Sequence, residues 1–204
     1  MYNSVIFDMD GVLIDSEKFY FERRMKYFDM INVEPASRNL SDYVGKTEES
    51  TWEQLVQDES LRMELKKDYA IFREDNQIDL QQALKPEVPQ VMQKLKERNK
   101  KIAIASSSKR KDIEEMVQQC ELTSYIDYLI SGEELRESKP HPEIYQISAE
   151  KLGGKAIAVE DSFVGIESAK AAGLYTVALK QEYDVDQGRA DWQIDSLLEL
   201  LAIV

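Results

Sequence analysis

Four short clusters in the sequence carry groups able to act as nucleophiles, acids, bases or charge neutralisers. Asp8-Met9-Asp10-Gly11 sets two carboxylates two residues apart at the end of an apolar run, so both point to one side and reach one site. Gly11 lets the chain turn away sharply. The bland reading is a turn whose aspartates bond their own backbone. Glu160-Asp161 is a second acidic pair after an apolar run, and there Asp161 or Ser162 could simply cap a helix from Phe163. One carboxylate can cap, but two adjacent ones facing Asp8 repel and call for a cation. Magnesium suits such a place, as a hard ion that takes carboxylate, water and phosphate oxygens. Ser106-Ser107-Ser108-Lys109 opens a helix, and hydroxyls and free amides there suit a phosphate, although Ser107 or Ser108 could serve as an ordinary cap. Lys139, fixed in Ser138-Lys139-Pro140-His141-Pro142, reads as a positioned charge or, taken alone, as a surface lysine.

The elements that must position these groups are legible from periodicity. Ser4–Phe7, Lys101–Ala105, Ala156–Val159 and Tyr175–Leu179 are short apolar runs that read as buried strands, with Tyr128–Ile130 a weaker one. Amphipathic stretches lie between them, at 89–99, 111–119, 142–152 and 164–172, the last stopped by Gly173. Strands alternating with helices predict an α/β fold, a Rossmann-like parallel sheet covered on both faces. In such sheets ligands bind at the carboxyl ends of the strands, where all four clusters fall. The stretch 16–84 differs: it is charged, rich in Tyr, Phe and Met, and has no convincing strand. Phe19, Phe21, Met25, Phe28, Leu55, Leu61, Leu65, Tyr69 and Phe72 recur at helical intervals. It is expected to form a small all-helical domain inserted after the first strand, with 1–15 and 85–204 forming the α/β core.

Composition removes several classes. Of 204 residues, 43% are hydrophobic, enough for a core and against whole-chain disorder. One cysteine, Cys120, excludes an internal disulfide and a multi-Cys zinc site, and reads as a core thiol. One histidine, His141, argues against His-based metal sites and a Ser-His-Asp triad. The net charge of −13 argues against nucleic acid and anionic membrane as partners. No apolar run approaches the ~20 residues of a membrane span, and the first residues lack a basic, apolar leader. A cytoplasmic protein, monomeric or weakly dimeric, is expected.

The four clusters together resemble the haloacid dehalogenase-like hydrolases, in particular the beta-phosphoglucomutase-like branch with a helical cap. Asp8-Met9-Asp10-Gly11-Val12-Leu13-Ile14-Asp15-Ser16-Glu17 is similar to that family's first motif, Ser106 to its second, Lys139 to its third and Glu160-Asp161 to its fourth, in the family's order and across the whole chain. The resemblance implies that Asp8 is a nucleophile forming an aspartyl-phosphate and that Asp10 is the general acid and then the base. It implies a magnesium ion among Asp8, the Asp10 main-chain carbonyl and Asp161, with Glu160 nearby. Ser106, Ser107 and Lys139 would bind the phosphate. The cap would choose the substrate, a small phosphorylated metabolite, with Tyr20, Gly45, Lys46, Arg23, Arg24, Lys66, Lys67, Lys109 and Arg110 as candidate contacts. Two departures separate the chain from a beta-phosphoglucomutase: Tyr20 stands where the mutase carries a cap histidine, and Glu48 where counting from Gly45 puts its cap arginine. A phosphatase of small monoesters such as sugar phosphates is therefore expected ahead of a sugar phosphomutase. A signalling receiver domain, which also pairs a phosphoacceptor Asp with acids, Lys and magnesium, is about half this length and leaves the helical insert without a role.

Overall fold

The computed structural model describes residues 2–43 and 48–204. Two compact units are present: Met1–Asp15 with Leu80–Val204, and Ser16–Asp79. The first is built on strands β1 (Ser4–Phe7), β2 (Lys101–Ser106), β3 (Tyr128–Ser131), β4 (Ala156–Glu160), β5 (Tyr175–Leu179) and β6 (Trp192–Ile194). Every pairing among them is parallel, in the order β3-β2-β1-β4-β5-β6. The sixth strand was not foreseen. It is three residues long with only Ile194 buried, so it leaves no apolar run to read.

β1, the first strand in the chain, lies at the centre of the sheet. Phe7 sits beside Ile104 of β2 on one side and Val159 of β4 on the other. The chain order reverses between β1 and β4, which opens a crevice past the carboxyl ends of those two strands. Side chains alternate across the sheet, and both faces are buried, hence the near-continuous apolar runs. One face presents Ile6, Ala103, Ala105, Ala156 and Ala158 to Ile144, Tyr145 and Leu152 and to Ala169. These come from helices α7 (Glu143–Leu152) and α8 (Phe163–Ala171). The alanines keep that face shallow, so α7 packs close enough to drop Tyr145 beside the strand ends. Helices α5 (Val88–Glu97) and α6 (Arg110–Gln119) pack on β2 and β3.

The two chain segments that leave and re-enter this unit are tied together. Asp15 N–H donates to the Ala83 carbonyl at 2.7 Å and Lys85 N–H to that of Leu13 at 2.9 Å. The short helix α4 (Leu80–Ala83) belongs to the first unit, so the second ends at Asp79, five residues before the boundary expected from composition.

The second unit holds helices α1 (Ser16–Ile31), α2 (Glu48–Leu55) and α3 (Glu59–Asp75). Asp58 starts α3 by accepting the Leu61 N–H at 2.8 Å. Leu65, Tyr69 and Phe72 then fall on one face of α3, at the spacing read from the sequence, whereas Leu61 is exposed. Their partners are Tyr27, Phe28, Tyr43, Trp52, Leu55 and Val56. Trp52 joins this ring cluster with centroids 5.3 Å from Tyr69 and 5.9 Å from Phe28, while Tyr27 and Tyr69 each touch three other rings. No helix among the described residues is long and apolar enough to cross a membrane.

Removing the fully buried Trp52 leaves a large void among rings that cannot close around it. Trp52→Ala is expected to lower stability by about 3–5 kcal/mol, read from urea unfolding followed by circular dichroism.

Candidate active site

The site is assembled at the carboxyl ends of β1, β2 and β4. Asp8 prolongs β1 by one step, its N–H donating to the Val159 carbonyl at 2.9 Å. The chain then winds tightly: the single Met9 carbonyl accepts N–H groups from Val12, Leu13 and Ile14 at 3.3, 2.9 and 3.1 Å. Met9, Val12, Leu13 and Ile14 are all buried in the core, which anchors the loop on which Asp8 and Asp10 sit. Gly11 has φ +78°, and a Cβ built on it would lie 2.0 Å from Asp161 Oδ2. Glycine is therefore required twice at that position, by backbone conformation and by the closeness of the carboxylate.

Lys139 is the centre of the charge arrangement. Its side chain is 5% exposed, and Nζ lies 2.6 Å from Asp8 Oδ1, 2.6 Å from Glu160 Oε1 and 3.0 Å from the Ala105 carbonyl. Nζ also lies 5.0 Å from the centroid of the Tyr145 ring. The Tyr145 hydroxyl donates to Glu160 Oε1 at 2.5 Å. Glu160 Oε2 accepts from Asp161 N–H and Ser162 Oγ, each at 3.2 Å. A carboxylate offers about four acceptor positions, so the fully buried Glu160 is saturated by protein donors. Gly165 makes this possible, since a Cβ there would lie 2.0 Å from the Glu160 carboxylate. Ser162 caps α8 by accepting Gly165 N–H at 3.1 Å, one of the two capping residues the sequence allowed.

Oxygens of Asp8, Glu160 and Asp161 lie within 4.8 Å of one another, all buried. Three carboxylates against one ammonium leave excess negative charge in a place poorly reached by water. Burial pushes the Asp8 carboxyl up to about 7; Lys139 opposes that shift while Glu160 and Asp10 add to it. For Lys139, burial pulls its pKa down but Asp8 and Glu160 more than offset it and hold it above the ordinary lysine value. Burial, with Glu160 and Asp8 near, keeps Tyr145 well above the usual phenol range, so it stays a donor. The oxygen-rich donor set and the space kept by Gly11 fit a hard divalent cation.

The remaining expected residues are placed as follows. Asp10 Oδ2 accepts from Ser108 Oγ at 2.8 Å, so the two aspartates of the first cluster hold different partners. Ser106 is buried at the end of β2, and its Oγ accepts the Ser108 N–H at 3.0 Å. Neither Ser107 nor Ser108 caps the following helix: Lys109 holds that position without a side-chain bond, because Ser108 is turned toward Asp10. Ser107 and Lys109 are exposed. Arg110 is bound to Glu114 and Glu134, and Lys66 to Glu49, which takes both into ion pairs within their own units. Tyr20 lies in the second unit with the Arg23 guanidinium 5.3 Å from its ring centroid. Gly45 and Lys46 lie outside the described residues. Tyr145 escaped the sequence reading because an apolar helix face accounts for it; so did Ser108, beyond its possible capping.

The family model for haloacid dehalogenase-like hydrolases matches residues 5–179. The chain belongs to this family. The match decides for a hydrolase family over the receiver-domain alternative. The chain is 30% identical over 177 residues to a phosphorylated carbohydrates phosphatase of Thermotoga maritima, covering 84% of this chain and 82% of that one. It is 29% identical over 215 residues to hexitol phosphatase B of Escherichia coli, covering 98% and 94%. A crystal structure of beta-phosphoglucomutase from Clostridium difficile superposes with a TM-score of 0.73 at 20% identity, covering 98% and 93%, and speaks for the fold alone.

Lys139→Met would leave Asp8 and Glu160 buried without their counter-charge. In the presence of a chelator it should cost about 3–5 kcal/mol at pH 8. The cost should shrink toward pH 5, because Asp8, already raised by burial and now without the ammonium that opposes that shift, binds a proton there and loses its charge. Urea unfolding at the two pH values checks both the size and the sign.

Proposed function

We propose that this haloacid dehalogenase-like hydrolase is a phosphatase that cleaves small phosphate monoesters, sugar phosphates among them, through a phosphoryl group carried on Asp8. The observation that carries the reading is the Lys139 bridge. It ties Oδ1 of a buried Asp8 to an ammonium and leaves the aspartate with a second oxygen for attack.

In this reading Asp8 Oδ2 attacks phosphorus and the bond to the ester oxygen breaks. Asp10, as an acid, gives its proton to the departing alkoxide. The ionised Asp10 then takes a proton from water, whose oxygen attacks the same phosphorus; the acyl-phosphate bond breaks, and free phosphate and Asp8 are restored. Ser108 holds the Asp10 carboxylate in place throughout. Lys139 offsets charge on Asp8 and on a phosphate oxygen, while the Ser106 hydroxyl and the Ser107 main-chain amide meet the other oxygens. Magnesium would be held by Asp8 and Asp161, with the Asp10 carbonyl that the family resemblance adds. Bound there, it supplies positive charge against the phosphate oxygens. Glu160, with its oxygens saturated, serves to anchor Lys139. The names of the two phosphatase relatives support a phosphorylated carbohydrate or alditol as substrate class.

A panel of sugar and alditol phosphates, assayed with magnesium, tests the reading. Release of free phosphate is expected, with Asp8→Asn lowering turnover by at least about 10³-fold, the order of loss when an essential nucleophile is removed. Conversion of one sugar phosphate into its isomer, given a bisphosphate primer, would instead establish a mutase. Proton and cation compete for Asp8, whose pKa in the cation-free protein is about 7. Magnesium affinity measured by calorimetry should therefore be steady above that pH and weaken as the pH falls below it.

A further inference from the structure

The loop after β5 contains none of the residues assigned above, yet two of its glutamines reach the cation pocket from behind. Gln187 is 5% exposed. Its Nε2 donates to the Asp161 carbonyl at 2.6 Å and to the Leu179 carbonyl at 2.9 Å. Gln181 Nε2 donates to the Gly11 carbonyl at 3.0 Å and to the same Leu179 carbonyl at 3.3 Å. Both amides thus fasten to the end of β5 and extend from there to the two main-chain segments that enclose the pocket. Those segments are the pair between which a Gly11 Cβ would meet Asp161 Oδ2. The Tyr183 hydroxyl of the same loop lies 3.5 Å from that oxygen.

From these contacts we infer that Gln187, seconded by Gln181, is a positioning residue for the Asp161 carboxylate as a cation ligand. The inference rests on the function proposed above. Asp161 is the first residue past β4, where the sheet no longer holds its carbonyl. The Gln187 amide replaces the missing neighbour and fixes the peptide plane, which sets the direction of the Asp161 side chain. Gln181 holds Gly11 at the matching distance across the pocket. An uncharged amide does this without altering the pocket's electrostatics, whereas a lysine there would compete with the ion. Ordering the carboxylate in advance removes a cost that binding would otherwise bear.

The test uses the full-length protein stripped of metal, with magnesium alone as titrant in a calorimeter and no substrate. Asp161→Asn is the reference, and Gln187→Leu and Gln181→Leu keep the bulk and remove the donors. Gln187→Leu is expected to weaken magnesium binding about 10–100-fold, with turnover recovering at saturating magnesium, as when an outer partner of a metal ligand is lost. Recovery separates positioning from a general loss of structure, which added ion would not mend. A folded Gln187→Leu protein with unaltered affinity, beside a weakened Asp161→Asn, overturns the inference and leaves the phosphatase reading standing. Unaltered affinity in Asp161→Asn overturns the cation site itself. Should Gln187→Leu not fold, the partly exposed Gln181→Leu decides by the same two readouts, with weakened affinity supporting the inference and unchanged affinity overturning it.

Discussion

One ammonium shared by two buried carboxylates organises this molecule. Lys139 lies within 2.6 Å of both Asp8 and Glu160, residues from the two adjacent strands between which the chain order reverses. Burying that many charges is costly unless each is paired and its remaining valences are filled. Here they are filled: the ammonium also meets the Ala105 carbonyl, and Glu160 takes four donors. Asp8 is the exception. Only one of its oxygens is committed to Lys139, and its carboxyl is pushed up to about 7. The fold thus satisfies Glu160 completely and leaves Asp8 with one oxygen held by the ammonium, which is what the proposed attack on a phosphate ester asks of it.

Small residues are the means by which this concentration of charge is packed. Gly11 and Gly165 each stand where a Cβ would come within 2.0 Å of a carboxylate. On the sheet face beneath, alanines at 103, 105, 156 and 158 let α7 approach. Tyr145 then arrives fully buried with its hydroxyl on Glu160. The constraint that fixes the acids therefore extends into the core packing, and substitutions at these small positions act on the site through geometry and not through charge.

The second unit is stabilised differently. Its core is a cluster of aromatic rings, Tyr27, Trp52 and Tyr69 among them, drawn from three helices, with edge-to-face contacts such as Trp52–Tyr69. A segment this short gains much of its buried area from a few large side chains. That explains the density of Tyr and Phe that set this stretch apart on first reading.

The clusters proposed to bear the chemistry and the strands that carry them were legible in the sequence. An apolar run followed at once by a carboxylate, hydroxyl or glycine is a local pattern, as at Asp8, Ser106 and Glu160-Asp161. The roles of Asp8 and Asp10 came from the family resemblance, whereas the need for a cation such as magnesium was read from the facing acid pairs; both stay with the proposal. Strand order, the saturation of Glu160, the turn of Ser108 toward Asp10 and the arrival of Tyr145 and Gln187 were decided by the tertiary structure. These contacts join residues separated by many positions, 131 between Asp8 and Lys139 and 98 between Asp10 and Ser108. A tyrosine on an apolar helix face or a glutamine in a polar loop carries no periodic signal of what lies opposite. Local sequence dictates periodicity and the sites of turns, whereas the partner of a buried polar atom depends on which distant segments the packed sheet brings within 3 Å.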